Sequence, residues 1–156
     1  MEMLASISAE TMYTLLNFSV LPFWLLLILV PLTKPTDTLV HSVLMPLVLG
    51  VTYAWFLATA LWGPTPMPDG AGFGSLEALR KVFSMDTALI AGWAHYLVFD
   101  LFIGAWQARD AQRNGLNHFL LVPCLVATFL VGPIGLLLYV MVRGLTGRGG
   151  WSLFEG

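Results

Sequence analysis

Residues 86–107, DTALIAGWAHYLVFDLFIGAWQ, form an almost unbroken apolar stretch that carries a histidine, His95, and an aspartate, Asp100, in its interior. A helix needs about 20 mostly apolar residues to cross the hydrocarbon core of a bilayer, and this stretch is long enough. An ionisable side chain at that depth is costly, so it usually faces protein, a ligand or a water-filled cavity. The stretch therefore predicts a membrane-spanning helix with functional polar residues.

Three further segments have the same character, and the whole chain agrees with them. Of its 156 residues 58% are hydrophobic and only 10% are charged, which is outside the range of soluble globular proteins. We therefore predict an all-α fold, an integral membrane four-helix bundle formed as a single transmembrane domain over residues 1–156. Its spanning helices are expected at about 13–32, 38–62, 86–107 and 118–142.

The longest connection, residues 63–85, divides into two parts. GPTPMPDGAG has too many prolines and glycines for regular structure, whereas FGSLEALRKVF, residues 73–83, alternates apolar and charged residues with helical spacing. The second part predicts a short amphipathic helix between the second and third spanning helices. Either a plain anchor in the headgroup region or a lid over one mouth of the bundle fits this pattern, and the anchor is favoured.

Several classes of partner are excluded by composition. The net charge is −2 and no basic run occurs, so nucleic acid is not expected as a partner. The single cysteine, Cys124, rules out an intrachain disulfide and a cysteine-based zinc cluster, and no metal site is expected. No motif for a nucleotide, flavin or haem is present, so no cofactor is expected.

The N-terminal residues contain no lysine or arginine, so they do not resemble a secretory or organelle-targeting leader. We therefore expect insertion through the first helix, in a bacterial plasma membrane. Four basic residues on the N-terminal side against three on the other narrowly favour both termini in the cytoplasm. The first group is Arg80, Lys81, Arg143 and Arg148, and the second is Lys34, Arg109 and Arg113.

The two polar residues of the third helix point in different directions. A separation of five positions turns the side chains by about 140°, so His95 and Asp100 are expected on different walls of one cavity and not in direct contact. One helical stripe contains Asp86, Trp93, Asp100 and Gln107, and another contains His95, Phe99, Phe102, Trp106 and Arg109.

Neighbours for these residues follow from their depth. Asn17 in the first helix and Tyr53 in the second lie at about the level of His95, and Glu10, Tyr13 and Asn17 form a stripe that should face protein or water. Residues expected to contact a ligand are Asn17, Tyr53, Trp93, Tyr96, Phe99 and Thr128.

Structural roles remain as alternatives for all these residues. A single intramembrane histidine, an asparagine or a tyrosine can simply join helices through hydrogen bonds. Asp100 could pair with Arg109 or Arg113 near the membrane boundary. Pro133 predicts a kink in the fourth helix, because it removes one backbone donor.

These motifs together resemble a known membrane family. The stretches PFW at residues 22–24, GWAHYLVFDLFIGAW at residues 92–106 and GPIGLLLY at residues 132–139 are similar to those of the abscisic-acid-deficient-4-like proteins, the neoxanthin synthase type. The resemblance covers almost the whole chain, and its most specific part is the second stretch. We expect a bacterial-type member of this family.

The resemblance implies a carotenoid as the ligand, because the plant member is required to convert violaxanthin to neoxanthin by opening an epoxide and forming an allene. Such an isomerisation needs an acid for the epoxide oxygen and a base for a carbon-bound proton. His95 and Asp100 suit these roles, which implies a cofactor-free membrane isomerase for a lipophilic xanthophyll-like substrate. In a bacterium the substrate would have to differ from violaxanthin.

Other functions remain open. A non-enzymatic carotenoid-binding or pigment-binding subunit that helps to assemble a membrane complex would have the same composition. A small proton channel or transporter is less favoured, because the sequence contains no inverted repeat. Membrane lipids are the expected surroundings, and self-association into a homo-oligomer stays open.

Overall fold

The computed structural model describes residues 8–150 and Leu153, and all the regular structure of this range is helical. The all-α class is therefore confirmed. The helices are α1 (Ala9–Leu29), α2 (Lys34–Leu39), α3 (Leu44–Trp62), α4 (Leu76–Phe83), α5 (Asp86–Arg113), α6 (His118–Val131) and α7 (Pro133–Leu145).

Three stretches of the described range are long and apolar enough to cross a membrane: α1, the combined α2 and α3 region, and α5. They correspond to the first three predicted segments, with different ends. The prediction of one continuous helix over about 38–62 is wrong, because α2 ends at Leu39 and α3 begins anew at Leu44, whose backbone N–H donates to the hydroxyl of Ser42 at 3.2 Å. Helix α1 ends at Leu29, just before Pro31, because a proline disfavours the helical conformation in the residue that precedes it. Helix α5 continues beyond the predicted Gln107 to Arg113.

The prediction of one continuous helix over about 118–142 is wrong. Helix α6 ends at Val131 and α7 begins at Pro133, and Gly132 between them has φ 55° and ψ −109°. Only glycine adopts such a conformation readily, and Pro133 cannot continue a helical hydrogen-bond ladder. The segment is thus broken completely where the sequence predicted a kink, and a four-helix bundle is not confirmed.

The short amphipathic helix is confirmed as α4. Its N-terminus is capped by Ser75, whose hydroxyl accepts the backbone N–H of Ala78 at 3.1 Å. Val82 is buried in a cluster with Ala60, Met85 and Ala88, against which Met67 and Ala71 of the preceding loop also pack. The loop therefore folds onto the protein, while Phe73 and Leu76 stay exposed.

The described part of the chain divides into two compact units. Unit 1 contains residues 8–19 and 46–98, and unit 2 contains residues 20–45 and 99–150 with Leu153, so that α1, α3 and α5 contribute to both. The single-domain organisation stays a prediction.

Small buried residues of α5 allow close helix packing in each unit. In unit 1 these are Ala91 and Ala94. In unit 2 a Cβ added to Gly104 would lie 2.7 Å from the ring of Trp24, so this buried tryptophan lies directly against the backbone of α5. The ring of Phe129 lies 5.3 Å from that of Trp24. The glycine thus explains how a large indole is accommodated in unit 2.

Candidate functional site

Four residues of α1 and α5 form an aromatic cluster in unit 1: Tyr13, Asn17, Trp93 and Tyr96. The indole N–H of Trp93 donates to Oδ1 of Asn17 at 3.1 Å, and Nδ2 of Asn17 donates to the carbonyl of Tyr13 at 2.9 Å. The ring of Trp93 lies 5.4 Å from that of Tyr13 and stacks at 5.1 Å on that of Tyr96. The hydrogen bonds fix the orientation of the amide and of the indole.

Local helix geometry explains this cluster. Tyr13 and Asn17 are four positions apart on α1, and Trp93 and Tyr96 are three apart on α5, so each pair shares one face of its helix. The structure therefore brings together three of the predicted ligand-contacting residues: Asn17, Trp93 and Tyr96. It adds Tyr13, which the sequence had already placed on the stripe with Asn17.

Beside this cluster lies a cavity of about 540 Å³. Its volume is within the usual range for small-molecule sites. Its lining consists of Ser8, Ala9, Glu10, Tyr13, Asp86, Leu89, Ile90 and Trp93. Two carboxylates, those of Glu10 and Asp86, thus line an otherwise mainly apolar and aromatic cavity.

Asp86 was predicted to lie at the beginning of a helix and on one stripe with Trp93, but it was not predicted to line a cavity. The available signal was the stripe that joins Asp86 to Trp93, seven positions later on the same face of α5. Both carboxylates lie in the first turn of their helix, where the helix dipole favours negative charge. The cavity therefore combines aromatic surface with groups able to exchange protons.

A second pair of predicted residues also meets in unit 1. The ring of Tyr53 lies 5.7 Å from that of His95 at an interplanar angle of 56°, so the prediction that the two share a level is confirmed. Tyr53 is half-buried and His95 is exposed. The histidine therefore lies on an outward-facing part of α5.

A smaller cavity of about 260 Å³ is also found in unit 1. Its described lining consists of Met12, Val51, Thr52, Trp55 and Phe56, and none of these side chains is ionisable. These residues can hold an apolar group but supply neither an acid nor a base.

The other predicted residues lie in unit 2. Asp100 is half-buried and Phe99 is 55% exposed. Thr128 is fully buried, where its hydroxyl accepts an amide hydrogen of Gln107 at 3.0 Å and donates to the carbonyl of Cys124 at 2.9 Å. The hydroxyl of Thr128 therefore joins α6 to α5, and its predicted role in ligand binding stays untested.

Unit 2 also contains a buried charged network that the sequence did not reveal. Oδ2 of Asp110 accepts the hydroxyl of Tyr139 at 2.6 Å and the guanidinium of Arg143 at 3.0 Å, and all three residues are buried. Oδ1 of the same carboxylate lies 3.3 Å from the guanidinium of Arg113. The only signal in the sequence was the i, i+4 spacing of Tyr139 and Arg143 in an apolar helix.

Comparisons with known proteins identify a family and a curated relative. The family model described as ABA DEFICIENT 4-like matches residues 11–139. A curated relative, Protein ABA DEFICIENT 4, chloroplastic, from Arabidopsis thaliana, is 28% identical over 114 residues, which are 70% of this chain and 50% of the relative. The chain thus spans about half the length of that relative. No solved structure matches the chain.

Proposed function

This chain belongs to the ABA DEFICIENT 4-like family, and from this membership we propose that it is a membrane-embedded protein that binds a carotenoid or related polyene and isomerises its end group without a cofactor. The reaction would be of the neoxanthin synthase type. One epoxide C–O bond breaks, the oxygen receives a proton and a neighbouring carbon loses one, so no electrons are exchanged with a second substrate.

Insertion in a membrane is supported by the surface of the described helices. Three stretches have the required length and hydropathy, and large apolar side chains on them are exposed, for example Phe18 at 66%, Leu47 at 61% and Phe102 at 53%. A water-soluble protein would bury most of such a surface, whereas lipid chains solvate it. The ligand of such a protein can reach it from the bilayer.

The aromatic cluster beside the 540 Å³ cavity is the observation that carries the proposal. A cyclic end group of a polyene is apolar with one or two oxygen atoms, which suits a site of aromatic walls and a few polar groups. The bond from Trp93 to Asn17 holds the indole in place before the ligand arrives. Glu10 and Asp86 each add a carboxyl group to this lining, and a carboxyl group can hydrogen-bond to an oxygen of the end group.

Two sets of residues are candidates for proton transfer. The first is His95 with Asp100, and the exposed imidazole of His95 beside Tyr53 is accessible to a molecule dissolved in the surrounding lipid. The second is Glu10 with Asp86 at the cavity. Replacing one residue at a time distinguishes the two sets, because loss of the general acid or base should lower the rate of isomerisation roughly 10²- to 10⁴-fold.

The test is to purify the protein in mild detergent from a host that accumulates epoxy-carotenoids, extract the bound pigment, and follow conversion by chromatography. We expect a polyene spectrum in the protein fraction and a product of unchanged mass. Trp93→Phe should lower pigment retention, because it removes the donor to Asn17, whereas Trp62→Phe, at an 80% exposed position, is the matched control. A colourless preparation that converts no carotenoid contradicts the proposal.

The second cavity supports one alternative, a pigment-binding or assembly subunit that performs no chemistry. Because none of the described residues that line this cavity of about 260 Å³ is ionisable, a polyene end group held there would be bound and left unchanged. Stoichiometric pigment without any turnover would favour this alternative.

A further inference from the structure

The last two apolar helices fold back on each other within unit 2. A Cβ added to Gly135 would overlap the backbone of Thr128, so the two segments touch at the level of their main chains. In a continuous helix these residues would be about 10 Å apart along the axis. The chain therefore reverses its direction at Gly132, where φ is 55° and ψ is −109°.

Contacts with α5 show the directions of the two helices. Thr128, near the end of α6, bonds to Gln107, whereas Arg143, near the end of α7, bonds to Asp110, one turn closer to the C-terminus of α5. Since α6 starts just after α5 ends, α6 runs antiparallel to α5 and α7 runs parallel to it.

The segment after α7 confirms this direction. A Cβ added to Gly115, in the turn that follows α5, would lie 3.3 Å from the guanidinium of Arg148. The chain has thus returned to the end of α5 from which α6 departed. The 14 residues of α6 and the 13 of α7 correspond to about 21 Å and 20 Å, which is less than the hydrocarbon thickness of about 30 Å.

From these observations we infer that α6 and α7 form a re-entrant hairpin, which enters and leaves the membrane on the side where α5 ends. Non-helical backbone at membrane depth is tolerated only where protein covers it, and Gly132 is buried. With three spans before the hairpin, Ala9 at the start of α1 and Arg148 lie on opposite sides.

This arrangement changes the charge count that determines orientation. Five of the seven Lys and Arg residues now fall on the side of the hairpin ends, and two fall on the other side. The five are Lys34, Arg109, Arg113, Arg143 and Arg148, and the two are Arg80 and Lys81. An excess of basic residues marks the cytoplasmic side. The C-terminal end is therefore cytoplasmic and the start of α1 is not, which replaces the expectation that both ends lie in the cytoplasm.

Together with the proposed function, on which this step rests, the orientation determines the leaflet from which the ligand is taken up. The 540 Å³ cavity is lined by the first turns of α1 and α5, so it lies at the non-cytoplasmic leaflet. The polyene end group is accordingly taken up from that leaflet.

Site-directed cysteine labelling tests the hairpin without any ligand. The full chain carrying Cys124→Ser receives one new cysteine, as Gly74→Cys, Gln112→Cys or Gly144→Cys, and intact cells are treated with a membrane-impermeant maleimide before and after permeabilisation. A Cβ at Gly74 or Gly144 meets no atom within 4 Å, and Gln112 is exposed, so these variants should fold.

We expect labelling at position 74 in intact cells, and at positions 112 and 144 only after permeabilisation. Labelling of 112 and 144 from opposite sides would overturn the hairpin. Labelling of positions 112 and 144 in intact cells, with position 74 labelled only after permeabilisation, would keep the hairpin but overturn the orientation and the choice of leaflet. A green fluorescent reporter fused after residue 156 gives a second measurement, because it fluoresces only if that end is cytoplasmic. None of these results depends on whether the protein binds a carotenoid.

Discussion

The buried ion pair of unit 2 allows a quantitative test of the tertiary structure. Asp110 and Arg143 are 2% and 5% exposed, and their charged atoms are 3.0 Å apart. Removing one partner of a buried pair leaves the other charge uncompensated and costs about 3–5 kcal/mol. In Arg143→Met the carboxylate keeps the hydroxyl of Tyr139 at 2.6 Å and the guanidinium of Arg113 at 3.3 Å. We therefore expect a loss near the lower limit, about 3 kcal/mol.

Two further single variants show how large a loss of stability is expected from the weaker contacts of the same carboxylate. Tyr139→Phe removes one hydrogen bond to a charged acceptor and should cost about 1.5–3 kcal/mol. Arg113→Gln should cost at most about 1 kcal/mol, because that side chain is 35% exposed and its pair is screened by solvent. The double variant Asp110→Asn with Arg143→Met should lose less than the sum of its single variants, because it removes both charges.

The assay is unfolding of the purified protein by denaturing detergent, followed through tryptophan fluorescence. Trp106 is a suitable reporter, because its ring lies 5.6 Å from that of Tyr139. The expected order of destabilisation is Arg143→Met, then Tyr139→Phe, then Arg113→Gln. A loss of less than about 1 kcal/mol in Arg143→Met would contradict a desolvated ion pair at this position, and so would an equally large loss in Arg113→Gln.

Three other predictions use glycines and the cavity. Gly132→Ala should destabilise the protein by about 1–3 kcal/mol, since φ at Gly132 is 55°. If residue 132 lay in a regular helix instead, alanine would stabilise the protein by about 0.5–1 kcal/mol. The sign of the change in the same unfolding assay therefore distinguishes a break at Gly132 from a continuous helix. Gly104→Ala, whose Cβ would lie 2.7 Å from a buried indole, should cost about 1–3 kcal/mol, and Gly50→Ala, which meets nothing within 4 Å, is the control that should stabilise. If Asp86 belongs to the set that transfers protons, Asp86→Asn should lower carotenoid turnover roughly 10²- to 10⁴-fold. Glu77→Gln, at an 81% exposed side chain, should leave the rate unchanged.

Much of the fold follows from the hydrophobic runs alone. The free energy of placing a residue in an apolar environment depends mostly on that residue, so the approximate positions of α1, α3 and α5 can be read from consecutive residues. Their ends cannot, since α3 begins only at Leu44 and α5 continues to Arg113. Gly132 and Pro133 mark a break, but they do not decide between a kink and a reversal. The choice between a kink and a reversal depends on whether the backbone of Gly135 can pack against that of Thr128.

The candidate site was predictable to a similar extent. Helical spacing and depth placed Tyr53 with His95 and selected Asn17 and Trp93, although the hydrogen bond that joins the latter two is visible only in the structure. The cavity beside them could not be predicted, because a cavity is defined by what several helices leave unfilled.

By itself, the sequence determined the all-helical class, the position of three long apolar helices and the stripes of polar and aromatic residues along α5. These properties arise from interactions between residues at most a few turns apart, so they can be predicted without knowledge of the tertiary structure. Only the tertiary structure decided the direction of α7 and the partners of Asp110, because both depend on contacts between residues far apart in the chain, such as Asp110 and Arg143. A buried charge at a helix end resembles a solvated one until the helix that covers it is known.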